Sequence, residues 1–319
     1  MTLQDIIQEA RTKYGEASSV VLTANEPTGQ APMELFITDE HTENYLSLKT
    51  SADTDRGLIT GLMALGAVPC LLMAIWFFST GKTEGGVNGL LVGLPMLLIP
   101  FLWEILRPLP LPVLFNRRTK EIYFDNNGEL FHSPWSVAQA VACEFQIIAP
   151  YTAGINNASL EVVVQQFDKP QNILMVSLGS PTGKTLDMQK GFWEYIRSYM
   201  NNGPWFDKTG AHSQSDAFVK SQLEANLKQS DFLKHTRQTI AEKKSTSAGK
   251  NYLSGIDFVM LSANLFFYPS SFIQDFTYNI AKRRPRNRWP KIVLERLQSD
   301  GPSTKLTDIE NMARLAIHH

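Results

Sequence analysis

The sequence predicts a membrane α+β protein: a two-helix transmembrane hairpin, then an antiparallel β-barrel or sandwich with a capping helix, then a helical C-terminal region. Three observations lead there. Two uncharged apolar stretches, Leu58–Phe78 and Val87–Trp103, are separated by one short polar segment. Six strand candidates punctuated by turn residues follow and end in an amphipathic helix. From about residue 211 onward the pattern is helical. The 319-residue chain accordingly divides into an N-terminal segment (1–56), the hairpin (57–107), a β-rich domain (108–203) and a helical C-terminal region (204–319).

Composition sets the outer limits. The chain carries 30 Lys+Arg against 31 Asp+Glu, so bulk charge selects no polyanionic partner, and no nucleic acid is expected. The balance is uneven along the chain, with ten acids and four bases in residues 1–56. Cys70 and Cys143 fall in different regions, one of them in an apolar run, which argues against a disulfide framework and agrees with a reducing compartment. The mean hydropathy of -0.15 is that of a soluble protein because the apolar stretches are diluted by the rest of the chain. No cleavable leader is expected, since the first strongly apolar stretch begins only after Arg56.

Residues 3–13 place Leu3, Ile6, Ile7 and Ala10 on one helical face, and Gly15 ends that run. Ser18–Leu22, Glu34–Thr38 and Tyr45–Leu48 then read as short strands. Leu58–Phe78 follows without a charge, and at about 1.5 Å of rise per residue it crosses a hydrocarbon core of about 30 Å. The turn Ser79–Gly86 is too short for anything but an antiparallel second span. Lys49 and Arg56 precede the first span, and Arg107, Arg117, Arg118 and Lys120 follow the second, while the turn holds only Lys82. The positive-inside rule therefore puts both termini in the cytoplasm and the turn on the other side of the membrane. Gly57, Gly61, Gly66, Gly89 and Gly93 imply close helix contact, within the chain or between copies, and Pro95 and Pro100 imply a bent second helix.

Beyond Pro108, Pro110 and Pro112 come Val113–Phe115, Glu121–Phe124, Glu129–Trp135, Ala140–Ile148, Ser159–Phe167 and Asn172–Leu178 as strands. Asp125-Asn126-Asn127-Gly128 is a hairpin signal, because Asn and Gly tolerate the positive φ that tight turns demand. A helix from about Leu186 to Met200 turns Met188, Phe192, Tyr195, Ile196 and Tyr199 to one side, and Asn201-Asn202-Gly203-Pro204 stops it. Six strands closed by one amphipathic helix resemble the plan of a pleckstrin-homology-like barrel in order and spacing. Further on, residues 213–243 are polar with sparse apolar positions, and Lys243–Lys250 reads as a linker. Tyr252–Tyr268 is apolar, but it is short, contains Asp257 and Asn264, and meets Pro269. It reads as a core helix of the cytoplasmic domain rather than a third span.

The chemistry-bearing motifs are sparse. Gly179-Ser180-Pro181-Thr182-Gly183-Lys184-Thr185 sits between a strand and a helix, as a phosphate loop does. It has three residues between its glycines instead of four, and Pro181 removes an N–H donor. A plain turn explains it better. His41, His132, His212, His235, His318 and His319 lack zinc-site spacing, and no CxxC pair exists. No catalytic residue, metal site or cofactor is expected, and the chain reads as a non-enzyme. Lys282, Arg283, Arg284, Arg286, Arg288 and Lys291 form a dense basic run, broken by Pro285, Trp289 and Pro290. Such a run is either a solvated loop or a contact for anionic headgroups, at roughly 1 kcal/mol per cation, or for an acidic partner. In a membrane-tethered chain, headgroups are the first candidate among the functional readings.

The segment Arg107–Phe124, with Asn116-Arg117-Arg118-Thr119-Lys120-Glu121-Ile122-Tyr123-Phe124 its most distinctive part, runs on to Ser133-Pro134-Trp135. With the preceding hairpin and a later Trp289-Pro290, it resembles a family of Gram-negative two-span membrane proteins. That family is of unknown function and is often encoded beside type VI secretion cargo and toxin genes. The similarity covers roughly residues 57–200 and, more weakly, 265–297. The resemblance implies a binding role without catalytic residues: an immunity protein for a sibling toxin, or an accessory protein that escorts an effector. A pleckstrin-like module that senses lipid headgroups is the alternative of a different class.

Overall fold

A computed structural model describes residues 19–147, 155–224, 232–246, 255–284 and 288–317, with Asp5, Gln8 and Thr12 nearer the N-terminus. The apolar helix face expected at Leu3, Ile6, Ile7 and Ala10 lies outside the described residues. The chain forms two interleaved units. The first comprises Met1–Thr54, Pro110–Ala225 and Asn287–His319, and the second Asp55–Leu109 and Asn226–Arg286. The C-terminal helical region, expected as one piece, is thus shared between the two.

The first unit is built on a curled antiparallel sheet. Its strands are β1 (Ser19–Thr23), β2 (Thr38–His41), β3 (Tyr45–Leu48), β4 (Val113–Asn116), β5 (Glu121–Asn126), β6 (Glu129–Pro134), β7 (Gln139–Ile147), β8 (Ile155–Gln166) and β9 (Lys169–Ser177). The order is β1-β7-β8-β6-β5-β4-β3-β2, with β9 on the other edge of β8. β8 pairs with β7 and β9 on its two edges and reaches β6 at Gln165 and Gln166. A bridge between Thr50 and Leu178 ties the ends of the curl into a half-barrel. All six strands expected after residue 108 are present, and three more come from the N-terminal segment. The β5–β6 turn has Asn127 at φ 54 and Gly128 at φ 91, two left-handed positions that match the twist of the flanking strands.

One N-terminal expectation changes. Glu34–Ile37 is a loop instead of a strand, because the buried Glu34 carboxylate accepts the backbone N–H groups of Phe36, Ile37 and Thr38. A side chain that takes up these donors removes them from any strand ladder. The loop also forces Phe36 to φ 62 with its ring half-exposed.

The helices are α1 (Leu58–Ser79), α2 (Thr83–Leu106), α3 (Leu186–Asn202), α4 (Ala217–Glu224), α5 (Phe232–Thr246), α6 (Gly255–Arg283), α7 (Lys291–Leu297) and α8 (Leu306–Ile317). In the first unit α3 fills the curl. Its Thr185 cap accepts the Met188 N–H at 3.3 Å, and Phe192, Trp193, Tyr195, Ile196, Tyr199 and Met200 are fully buried. They pack on Leu46, Phe115, Ile122, Phe131, Leu160 and Val162 of the sheet. Trp135 and Trp193 lie 5.4 Å apart by ring centroids. Each indole N–H is satisfied: Trp193 donates to Thr23 O at 2.9 Å, and Trp135 to Asn201 Oδ1 at 2.6 Å. α7 and α8 lie on the opposite face, where Val293 and Leu306 pack with Leu114, Tyr123 and Leu130.

The second unit is helical. α1 and α2 are antiparallel: a Cβ at Gly89 would come 2.8 Å from Ala74 Cβ, and one at Gly93 would come 2.9 Å from Leu71. The glycines that suggested close packing are therefore used within the chain. Of the segment Tyr252–Tyr268, expected as a core helix of the cytoplasmic domain, Gly255–Tyr268 opens α6, a 29-residue helix that passes through Pro269, packs against α1 and belongs to the second unit. Part of the expected linker, Lys243–Thr246, is the last turn of α5.

Candidate membrane interface

α1 and α2 are each long and apolar enough to cross a membrane. Their outer faces carry the exposed residues Leu72, Ile75, Trp76, Leu91, Val92, Ile99 and Trp103. At one end a polar clasp joins them. Glu104, in the last turn of α2, is 2% exposed. Its carboxylate accepts the N–H groups of Gly57 and Thr60 at 3.0 Å each, and the Thr60 hydroxyl as well. These are first-turn donors of α1 that have no partner within their own helix, and the negative charge suits the positive end of the helix dipole. Arg56 works in the reverse sense, donating to Glu104 O at 2.9 Å and Pro108 O at 3.2 Å. Each helix end is thus capped from the other.

α6 docks beside this clasp through backbone contact. A Cβ at Gly57 would lie 2.5 Å from Gln274 O, and one at Gly61 would lie 2.9 Å from Ser270 O. Ser270 Oγ donates to Gly61 O at 2.6 Å. Small residues let two backbones approach in this way. Phe101 and Phe276 stack with centroids 6.3 Å apart, and Arg284 Nη1 donates to Ile105 O at 2.9 Å.

The basic run is divided by the fold. Lys282, Arg283 and Arg284 close the second unit and are exposed. Arg288 and Lys291 open the last segment of the first unit, and Lys291 pairs with Glu295 at 3.5 Å. Arg286 lies outside the described residues. Sequence reading placed these cations and used Arg56 for orientation, but did not pair it with the end of α2 and missed the roles of Thr60, Glu104 and Ser270. The legible signal was an Arg just before the first span and a Glu at the end of the second, which an antiparallel hairpin brings to one level. Nothing in the sequence marks Ser270.

The remaining motifs have structural partners. In the 179–185 loop, Gly183 N–H donates to Asn157 Oδ1 and Lys184 N–H to Pro181 O, so neither points to an open cradle. Phe131 and Trp135 are core residues at 2% and 3% exposure. His41 is enclosed by Tyr195, Tyr199 and Trp205. Its Nε2 meets Pro204 O at 2.8 Å and therefore carries the proton, while Nδ1 accepts from Tyr195 Oη at 3.0 Å. Burial lowers its pKa, with the Pro204 carbonyl opposing in part. Burial likewise pushes the Tyr195 and Tyr199 hydroxyls up. His132 lies between Glu121 (3.8 Å) and Glu310 (3.4 Å), which themselves accept the N–H groups of Leu306 and Asp168. That cluster fastens α8 to the sheet. Among the described residues no group of three or more His, Cys, Asp or Glu is placed to hold a metal ion. Comparison with known proteins returns no match: no family model, no curated protein and no solved structure is similar to this chain.

Proposed function

We propose that this is a membrane-anchored binding protein whose sheet unit engages a protein partner from the cytoplasmic face of a bacterial inner membrane. The observation that carries the anchor is the inverted burial of the helical unit. Arg56, Thr60 and Glu104 are enclosed, while Leu72, Ile75, Leu91 and Ile99 face outward. That arrangement is costly in water and favourable in hydrocarbon. Orientation follows from the cations: Arg56 and Arg107 flank one end of the hairpin, and Lys82 stands alone at the other. The partner reading rests on the resemblance of residues 107–124 and 133–135, which points to a type VI secretion toxin or effector, neutralised or escorted. Anchoring raises local concentration near a membrane-acting partner, so modest affinity suffices. The test is deletion of the gene in its native strain beside cells that deliver the neighbouring effector. Loss of survival supports immunity and loss of effector delivery supports escort; normal behaviour in both removes the reading.

A second reading has its own observation. A curled sheet with a helix packed in it, in a chain that also exposes Lys282, Arg283, Arg284 and Arg288, suits a pleckstrin-like headgroup module. It requires salt-sensitive binding to anionic vesicles that is lost when these four cations are replaced.

A further inference from the structure

α6 encloses two of its polar side chains and exposes most of its aromatic ones, with Ser262 and Asn279 the exposed uncharged polar residues among those described. Ser270 and Thr277 are enclosed and hydrogen-bonded to Gly61 O and Ile273 O. Phe258, Leu265, Phe272 and Phe276 are more than half exposed. Positions 258, 265, 272 and 276 fall on one side of a helix, and Phe266, 67% exposed, adds to that side. Asn264, Gln274 and Asp275, which lower the helix's overall hydropathy, are half-buried. Composition alone therefore understates how apolar the outer face is.

Two further features identify what covers that face. First, it continues the exposed apolar surfaces of α1 and α2, since α6 runs antiparallel to α1 with Gln274 at Gly57 and Ser270 at Gly61. Second, the stripe from 258 to 276 is about 27 Å long at the helical rise, close to the thickness of a hydrocarbon core. It ends in the exposed cations Lys282, Arg283 and Arg284, at the same end as Arg56 and Arg107. Apolar side chains closed by a cationic cluster match acyl chains closed by phosphate headgroups.

We propose that α6 is a third lipid-facing helix of the anchor. Phe258, Leu265, Phe272 and Phe276 contact acyl chains, and Lys282, Arg283 and Arg284 contact anionic headgroups. This rests on the membrane reading of α1 and α2, and the experiment separates the two. Single nitroxide labels are placed at 258, 265, 272 and 276 of the full chain, with Cys70 and Cys143 replaced by Ala. The protein is reconstituted in phosphatidylcholine–phosphatidylglycerol vesicles. Labels at 72 and 91 serve as lipid references, and a label at the exposed position 208 as the water reference. Collision with dissolved oxygen is compared with collision with a water-soluble nickel chelate. We expect the four α6 labels to match positions 72 and 91, with an oxygen-to-nickel ratio several-fold above that at 208. Lipid-like values at 72 and 91 with water-like values on α6 overturn the proposal alone. Shielding of the α6 labels from both reagents also overturns it, because a protein surface then covers the face. Water-like values at 72 and 91 overturn the membrane reading itself.

Discussion

Glu104→Ala removes the acceptor that holds the first turn of α1. Three hydrogen bonds go with it: those from the Gly57 and Thr60 N–H groups at 3.0 Å and that from the Thr60 hydroxyl. A hydrogen bond to a charged group contributes about 1.5–3 kcal/mol net, and bonds to one carboxylate are not additive. The first turn should therefore open more easily by about 3 kcal/mol, or about a hundredfold in equilibrium constant. Glu104→Gln keeps one carbonyl acceptor but turns an NH2 toward a donor, so about 1–1.5 kcal/mol and about tenfold is expected. Hydrogen exchange of a peptide spanning residues 55–62, read by mass spectrometry on the detergent-solubilised protein, measures this opening directly. Exchange should be fastest in the Ala variant, intermediate in the Gln variant and slowest in the parent, with the centre of α2 unchanged. If both variants exchange like the parent over 55–62, the carboxylate does not cap α1 and the reasoning is wrong.

Four other outcomes follow from the structure. Because burial lowers the folded pKa of His41, the unfolded chain takes up a proton there before the folded one. Stability should fall as pH drops below the ordinary histidine value of 6.5, by at most about 1.4 kcal/mol per pH unit from this group. Thermal melts from pH 7.5 to 5 should show a flatter decline in His41→Gln than in the parent. Phe36→Gly should leave the melting temperature unchanged or raise it, since relief of a left-handed Phe, about 1–2 kcal/mol, outweighs the added freedom of the unfolded chain; a lower melting temperature would show that the ring packs on something. Asn201→Ala strips partners from Trp135 Nε1 and Ala24 O and should cost about 2 kcal/mol by denaturant titration of the detergent-solubilised protein. A fragment comprising 108–319 should be recovered only from inclusion bodies. It lacks β1–β3, which leaves β4 and β7 with open edges, and it strands α6 without the helices it packs on.

The sheet from β4 to β9 and helix α3 were legible because each strand is bounded by turn residues, and because α3 has one broad apolar face between Thr185 and Gly203. The Asp125–Gly128 hairpin was readable from backbone chemistry alone. What escaped was long-range. β1 pairs with β7 across more than a hundred residues, and no local pattern announces that partnership. Glu34 reads as an ordinary polar residue of a strand until its carboxylate is seen to gather three N–H groups. The surroundings of helix α6 are hard to read from composition, because a polar residue weighs the same in a hydropathy average whichever side it faces. The helix's company was also invisible, since a close approach such as Ser270 on Gly61 depends on two segments more than two hundred residues apart.

Leu48 lies opposite Val113 in the β3–β4 pair, so the whole of α1 and α2 is an insertion in one hairpin of the sheet. This has a bearing on the order of assembly during synthesis. β1, β2 and β3 leave the ribosome before the first apolar stretch, and the strands they need, β4 and β7, follow only after the second. Until then their edges stay unpaired and exposed to wrong partners. Once the clasp at Gly57 and Glu104 closes, however, the free chain between Leu48 and Val113 shrinks from roughly 64 residues to roughly 18, which lowers the closure entropy of the pair by about 1 kcal/mol. Closure of the α1–α2 hairpin thereby becomes an early step in folding the sheet, and on the proposed membrane reading a defect in the anchor delays the sheet as well as its attachment.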